Sequence, residues 1–112
     1  MAAEKNFENK IKSYIKEIKG WEIKYWSGKS ITGQKFTRDG VPDILACIQG
    51  KFIAIETKAQ NGKPSALQID TIEELRAAGA IAVVAYPSAW KLLVEILNNP
   101  FADWSDLPIE IK

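Results

Sequence analysis

Asp43-Ile44-Leu45-Ala46-Cys47-Ile48-Gln49-Gly50-Lys51-Phe52-Ile53-Ala54-Ile55-Glu56-Thr57-Lys58 is the stretch that decides the fold. Two apolar, β-branched-rich runs, Ile44 to Ile48 and Phe52 to Thr57, flank Gln49-Gly50, which reads as a two-residue hairpin turn with glycine at its second central position. That turn sets the register. Ile48 faces Lys51, Cys47 faces Phe52, Leu45 faces Ala54, and Asp43 falls opposite Glu56 with Cβ atoms roughly 4.5 to 5.5 Å apart. Side chains alternate along a strand, so Lys58 shares the face of Glu56, and Leu45, Cys47, Phe52 and Ala54 are expected to continue it as an apolar floor.

Two directly opposed carboxylates destabilise a strand pair, and burying them is worse unless a cation or a proton lies between them. A hard divalent ion such as Mg²⁺ takes oxygen ligands and commonly uses one or two carboxylates, leaving positions for water and phosphate oxygens. Asp43, Glu56 and the Thr57 backbone carbonyl fit that set. Such an ion polarises a phosphoryl oxygen and lowers the pKa of a bound water, while Lys58 orients that water or neutralises transition-state charge. The competing reading is a plain salt bridge, with Lys58 neutralising Glu56 at a strand end.

The inventory narrows the chemistry further. With no histidine and a single cysteine, Cys47, among 112 residues, a zinc finger, a zinc hydrolase, a histidine-based triad and an internal disulfide are excluded. The length suits one domain, and 46% hydrophobic with 26% charged residues is ordinary for a globular one. No signal-peptide pattern opens the chain and no apolar run is long enough to cross a bilayer, which predicts a cytoplasmic protein and no membrane partner. The net charge of +1 hides an asymmetry: residues 1–63 carry twelve basic and seven acidic groups, residues 64–112 three basic and seven acidic. The basic half also holds the proposed site. Lys24, Lys29, Lys35, Arg38 and Lys63, with Lys58, are the candidates for contact with a phosphate backbone.

Outward from the hairpin, Phe7, Ile11, Tyr14, Ile15 and Ile18 predict an amphipathic helix ended by Gly20. Glu8 flanks its apolar stripe, with Glu4 as a nearby rival. Trp21 to Trp26 alternate as a strand, and Ser27 to Val41 form a long polar loop. The Ser27-Gly28-Lys29-Ser30 run is no P-loop, because Ile23 stands where the first glycine of that motif belongs. Gln60 to Pro64 reads as a turn, and Ser65 with Gln68 as the capping box of a helix striped by Ile69, Ile72, Leu75 and Ala78. Ala80 to Tyr86 predicts a strand buried on both faces. Pro87-Ser88 starts a helix over 89–97, stopped at Asn98-Asn99-Pro100. The expected fold is therefore α/β, a mixed sheet flanked by helices in the order αβββαβα, with a parallel crossover from the second hairpin strand to the next strand. Residues 1–100 form the domain and 101–112 an acidic, aromatic tail.

Gly40-Val41-Pro42-Asp43, Phe52 to Lys58, Gly62-Lys63-Pro64-Ser65 and Leu67-Gln68 together resemble the VRR-NUC (virus-type replication-repair nuclease) branch of the PD-(D/E)xK nuclease superfamily. The resemblance runs from about Phe7 to about Leu97 and implies a restriction-endonuclease-like fold. It implies Mg²⁺- or Mn²⁺-dependent cleavage of DNA, often branched, leaving a 5′-phosphate and a 3′-hydroxyl. Stand-alone phage-type members look like homodimeric Holliday junction resolvases, so a phage-encoded homodimer acting in the host cytoplasm is expected. By position, the metal-binding acids fall on Asp43 and Glu56, the catalytic lysine on Lys58, the acid of the N-terminal helix on Glu8, holding the metal through water, and the glutamine after the hairpin on Gln68. Gly40 and Pro42 set the chain angle that delivers Asp43. The alternatives are a flap or general DNA endonuclease of the same fold and a non-catalytic DNA-binding module that uses the acids and lysine structurally.

Overall fold

The computed structural model describes residues 2–25 and 38–112. It is an α/β fold whose mixed sheet is flanked by helices, an arrangement compatible with a restriction-endonuclease-like architecture. Helix α1 (Ala2–Glu17) precedes β1 (Trp21–Lys24), β2 (Ile44–Ile48) and β3 (Lys51–Thr57). Helix α2 (Ala66–Ala77), β4 (Ile81–Ala85), a 3₁₀ turn (Pro87–Ala89), α3 (Trp90–Asn98) and β5 (Glu110–Ile111) follow. The sheet order is β1-β2-β3-β4-β5. The first three strands pair antiparallel, and β3, β4 and β5 run parallel.

The hairpin has the predicted register, with Leu45 opposite Ala54 and Cys47 opposite Phe52. Gln49 and Gly50 both adopt positive φ, 54° and 86°, the geometry of a type I′ turn whose twist matches that of the flanking strands. Alternation then sorts the side chains into two cores. Ile44, Ala46, Ile48, Ile53, Ile55, Val83 and Ala85 face α1 and α3, where Phe7, Ile11, Ile15, Leu93 and Ile96 close over them. Ala54, Ala82, Val84 and Tyr86 face α2 through Ile72, with Leu45, Leu75 and Ile109 at the margin. All of β4 is buried, as its unbroken apolar run requires.

Four expectations are corrected. The order αβββαβα lacks a strand, because the tail returns to the sheet: Val84 N–H donates to the Ile109 carbonyl at 2.8 Å and Tyr86 N–H to that of Ile111 at 3.1 Å. Arg76 locks this return, its guanidinium donating to the carbonyls of Ala82, Leu107 and Pro108 at 2.7 to 2.8 Å. The last α-helix begins at Trp90, because Pro87 opens a 3₁₀ turn first. The apolar floor continues only through Leu45 and Ala54, since Cys47 and Phe52 are exposed where no described element covers β2. The predicted first strand ends at Lys24, and Trp26, Lys29 and Lys35 lie outside the described residues.

Candidate metal centre

The C-terminal end of β3, the residue before β2 and the N-terminal ends of α1 and α2 converge at one end of the sheet. Gly40 makes the approach to β2 possible: its φ is +78°, and a Cβ there would sit 2.8 Å from Leu67 Cγ. Only glycine fits both the conformation and the space. Buried Pro42 follows and delivers Asp43. Asp43 Oδ2 then accepts two hydrogen bonds from Thr57, one from N–H at 3.0 Å and one from the hydroxyl at 2.8 Å. Thr57 is thus tied to the site through its amide and side chain, contacts that the sequence reading, which used only its carbonyl, did not anticipate.

Glu56 is 2% exposed. Its Oε2 accepts from Gln68 Nε2 at 3.1 Å and lies 3.5 Å from Lys58 Nζ. Its Oε1 is buried without a hydrogen-bond partner, the one such side-chain atom among the described residues. Burial and then the neighbouring Asp43 charge push the Glu56 carboxyl up to about 8, against the opposing pull of Lys58. Gln68 combines two tasks. Its Oε1 accepts from Ser65 N–H at 2.9 Å while Ser65 Oγ accepts from Gln68 N–H at 3.1 Å, completing the predicted capping box, and its amide nitrogen reaches the site.

The acid of α1 that joins the strand acids is Glu4. Carboxylate oxygens of Glu4, Asp43 and Glu56 all lie within 4.8 Å of one another. Glu8, one turn further along, is buried and paired to Lys24 Nζ at 2.7 Å and to Lys5 Nζ at 3.4 Å. Burial works to raise the Glu8 carboxyl, but the hydrogen bond and charge of Lys24, helped by Lys5, outweigh it and hold it below the ordinary value. The same pair holds the Lys24 ammonium above its ordinary value despite burial, with Asp43 and Glu56 adding to the effect.

Oxygens on opposite sides of a Mg²⁺ ion stand about 4.2 Å apart, twice the usual bond length, so oxygens up to 4.8 Å apart would have to draw together slightly to share one ion. The all-oxygen donor set suits a hard cation, and the partnerless Glu56 Oε1 is an acceptor that lacks only a donor or an ion. A cleft of about 390 Å³ opens beside the cluster, lined by Lys24, Tyr25, Asp39, Gly40, Val41, Asp43 and Gln68. Among the predicted phosphate contacts, Lys24 reaches this cleft while paired to Glu8, Arg38 lies 3.3 Å from Glu74, and Lys63 is exposed on the turn before α2. A second cavity, about 330 Å³ between β4 and the tail, is lined by Lys51 and Arg76, whose donors go to backbone carbonyls. No described helix is long and apolar enough to cross a membrane. No protein-family model matches the chain, and no curated protein matches it significantly.

Proposed function

We propose that this chain is a Mg²⁺- or Mn²⁺-dependent, structure-selective DNA endonuclease of the VRR-NUC type within the PD-(D/E)xK superfamily. Its substrate is branched DNA, in the manner of a Holliday junction resolvase, and it works as a phage-encoded homodimer in the host cytoplasm. The observation that carries this reading is the Glu56 carboxylate, sealed from solvent with one oxygen partnerless, beside two further acids and with Lys58 at 3.5 Å. A purely structural salt bridge satisfies both partners, whereas here the ionised form of Glu56, the form that holds a metal, would leave one buried oxygen without a donor.

In this mechanism Asp43, Glu56 and Glu4 would hold the ion, which would supply polarisation of the scissile phosphate and a lowered pKa for a bound water. Thr57 fixes the Asp43 carboxylate by holding one of its oxygens with two donors. Gln68 holds one oxygen of Glu56 with a single donor from the start of α2. Lys58, side chain 18% exposed, lies 3.5 Å from Glu56 Oε2, where its ammonium would position the attacking water and offset charge on the phosphate oxygens. Lys24 lines the cleft and Lys63 is exposed on the turn before α2, and with Arg38, Lys29 and Lys35 they belong to the net-positive half of the sequence, whose charge favours a phosphate backbone.

The test is a gel assay of wild type and Asp43→Asn on a labelled four-way junction, a 5′ flap and plain duplex, each with Mg²⁺, Mn²⁺ or EDTA. Metal-dependent paired nicks on the junction that disappear in the variant are expected. Cutting of flaps alone replaces the substrate and keeps the chemistry. Binding without cleavage under every metal condition overturns the enzyme reading and leaves a DNA-binding module.

A further inference from the structure

The cavity between the start of β4 and the C-terminal tail lies at the end of the sheet away from the acid cluster. Lys51, on its wall, and Glu56 are the first and sixth residues of β3, about 17 Å apart by strand rise. The cavity measures about 330 Å³; Ile81, Pro100, Trp104 and Leu107 give it apolar walls, and Lys51 and Arg76 bring two cations to it. Among the described residues no carboxylate lines it. Both cations have structural partners at the end of α2: Lys51 Nζ donates to the Gly79 carbonyl at 2.8 Å, and Arg76 to the carbonyls of Ala82, Leu107 and Pro108. A guanidinium carries five N–H donors and an ammonium three, so these four bonds use half of the donors present. Charge is left over as well. Carbonyls are neutral, neither cation forms an ion pair with a described residue, and Glu73 acts on Arg76 only through space. Burial therefore holds the Arg76 guanidinium below its ordinary value, against the pull of Glu73.

We propose that this cavity is a binding site for a small organic anion, a carboxylate or phosphate monoester carried on a single apolar ring. The inference stands apart from the proposed function, since it uses none of the metal-site residues. Each part of the ligand answers a feature of the cavity. The anionic head takes the spare N–H donors of Lys51 and Arg76 and supplies the counter-charge that the half-buried guanidinium lacks, the setting in which a charge-assisted hydrogen bond gains most. The ring packs on Pro100, Leu107 and Trp104. The indole N–H of Trp104 is already taken by the Asn99 carbonyl at 2.7 Å, so this wall offers aromatic surface and no further donor. Size limits the ligand: 330 Å³ is near the bottom of the range of roughly 300 to 1,000 Å³ for small-molecule sites, room for one ring and its acid group. A nucleic-acid strand instead follows a groove with cations along its length, and the exposed residues beside this lining, Asp103 and Asp106, are acidic. A ligand this small binds with a dissociation constant of the order of 0.1 to 1 mM. Its head reaches β3 and α2 while its ring reaches the tail, so binding fastens the tail to the sheet.

Amide NMR of the full chain, in EDTA and without DNA, tests the site with four probes added in turn up to about 10 mM: phenyl phosphate, benzoate, inorganic phosphate and benzyl alcohol. Phenyl phosphate or benzoate should move the amides of Lys51, Ile81 and Ser105 and the Trp104 indole N–H along one saturable curve, leaving Glu56 and Thr57 in place. The tighter of the two identifies the head group. Inorganic phosphate lacks the ring and benzyl alcohol the charge, and each should bind at least tenfold more weakly. Lys51→Gln removes one cation and Ser105→Glu places a like charge beside the head; neither touches the Arg76 bonds, and each should weaken binding at least fivefold while the rest of the spectrum is kept. Bound ligand should also slow amide exchange at Val84 and Tyr86, which donate to the tail, severalfold. The absence of any saturable shift, or unchanged binding in both variants, would overturn the proposal. So would equal binding of inorganic phosphate, which means a non-specific ion, or of benzyl alcohol, which means an apolar pocket indifferent to charge. Shifts centred on Lys24 and Gly40 instead would give the anion to the cleft beside the acids.

Discussion

Gln68 Nε2 donates to Glu56 Oε2 across 3.1 Å while the oxygen of the same amide caps α2 through Ser65 N–H, so the start of a helix and the most deeply buried acid of the site share one side chain. The two roles separate by substitution. Ser65→Ala removes one half of the capping box and should cost about 1 kcal/mol of stability with Mg²⁺ affinity unchanged. Gln68→Ala loses the other half and also a hydrogen bond to a buried carboxylate, and should cost about 2 kcal/mol and weaken Mg²⁺ binding severalfold. Urea unfolding with calorimetric Mg²⁺ titration measures both, and equal effects on affinity would contradict the assignment.

The Asp43 contacts change what its removal should do. Thr57 is fully buried, and both of its donors end on Asp43 Oδ2. Asp43→Ala leaves these donors unpaired, which should cost about 1 to 3 kcal/mol and outweigh the relief of repulsion from Glu56. Asp43→Asn keeps an oxygen acceptor and should hold the wild-type melting temperature within a few degrees while abolishing cleavage. If Asp43→Ala proves as stable as Asp43→Asn, the Thr57 bonds contribute nothing and the site is looser than described.

Glu56 predicts how the metal-free protein responds to pH. Its carboxyl is held at about 8 in the fold against an ordinary value of 4.5. Between those values the folded state keeps a proton that the unfolded chain has lost, so stability falls as pH rises through the window. The loss from pH 5 to pH 8 should be of the order of 3 kcal/mol in EDTA. In Glu56→Gln the group no longer titrates and the slope should flatten. Chemical denaturation at pH 5, 6, 7 and 8 measures it, and a wild type whose stability rises over that range would show that Glu56 is ionised when buried.

The hairpin was legible because its determinants are local. A Gln-Gly turn between two β-branched runs specifies the register without reference to the rest of the chain, and the register alone brings Asp43 and Glu56 together. The Ser65 and Gln68 capping box was legible for the same reason, its partners being three residues apart. What strand alternation does not reveal is whether anything covers the face it defines, so Cys47 and Phe52 were assigned to an apolar floor that is in fact open. The fifth strand escaped because it is two residues long and pairs with Val84 and Ala85, far back in the chain. The alternation of Leu107, Ile109 and Ile111 was its only local sign. Glu4 and Glu8 lie one turn apart on the same side of α1, and the choice between them depends on how far the helix extends past the sheet, which is a tertiary fact.

Arg76 offers a direct test of the tail as part of the domain. Its guanidinium bridges the carbonyls of Ala82 in β4 and of Leu107 and Pro108 in the tail, and burial lowers its pKa below the ordinary value. Removing it strands three acceptors, so Arg76→Ala should cost about 2 to 4 kcal/mol. Amide exchange at Val84 and Tyr86, whose N–H groups donate to Ile109 and Ile111, should accelerate more than at Ile53 and Ile55. Uniform acceleration across the sheet would mean that the tail unfolds only with everything else.

Glu4 and Glu8 separate binding from support. Glu4 is partly exposed and lies with Asp43 and Glu56, so Glu4→Gln should lower Mg²⁺ affinity and cleavage at least tenfold and leave the unfolding midpoint unchanged. Glu8 is 3% exposed and its oxygens take Lys24 and Lys5. Glu8→Gln leaves the Lys24 ammonium half-buried beside a neutral amide, which should cost about 1 to 3 kcal/mol. Because the fold holds the Glu8 carboxyl below its ordinary value, its contribution is present at neutral pH and is lost as pH falls through the folded pKa, so the variant should differ from wild type less in acid than at pH 7. Reversed outcomes, a stability loss for Glu4→Gln and loss of metal affinity alone for Glu8→Gln, would move the helix acid of the metal site one turn along α1.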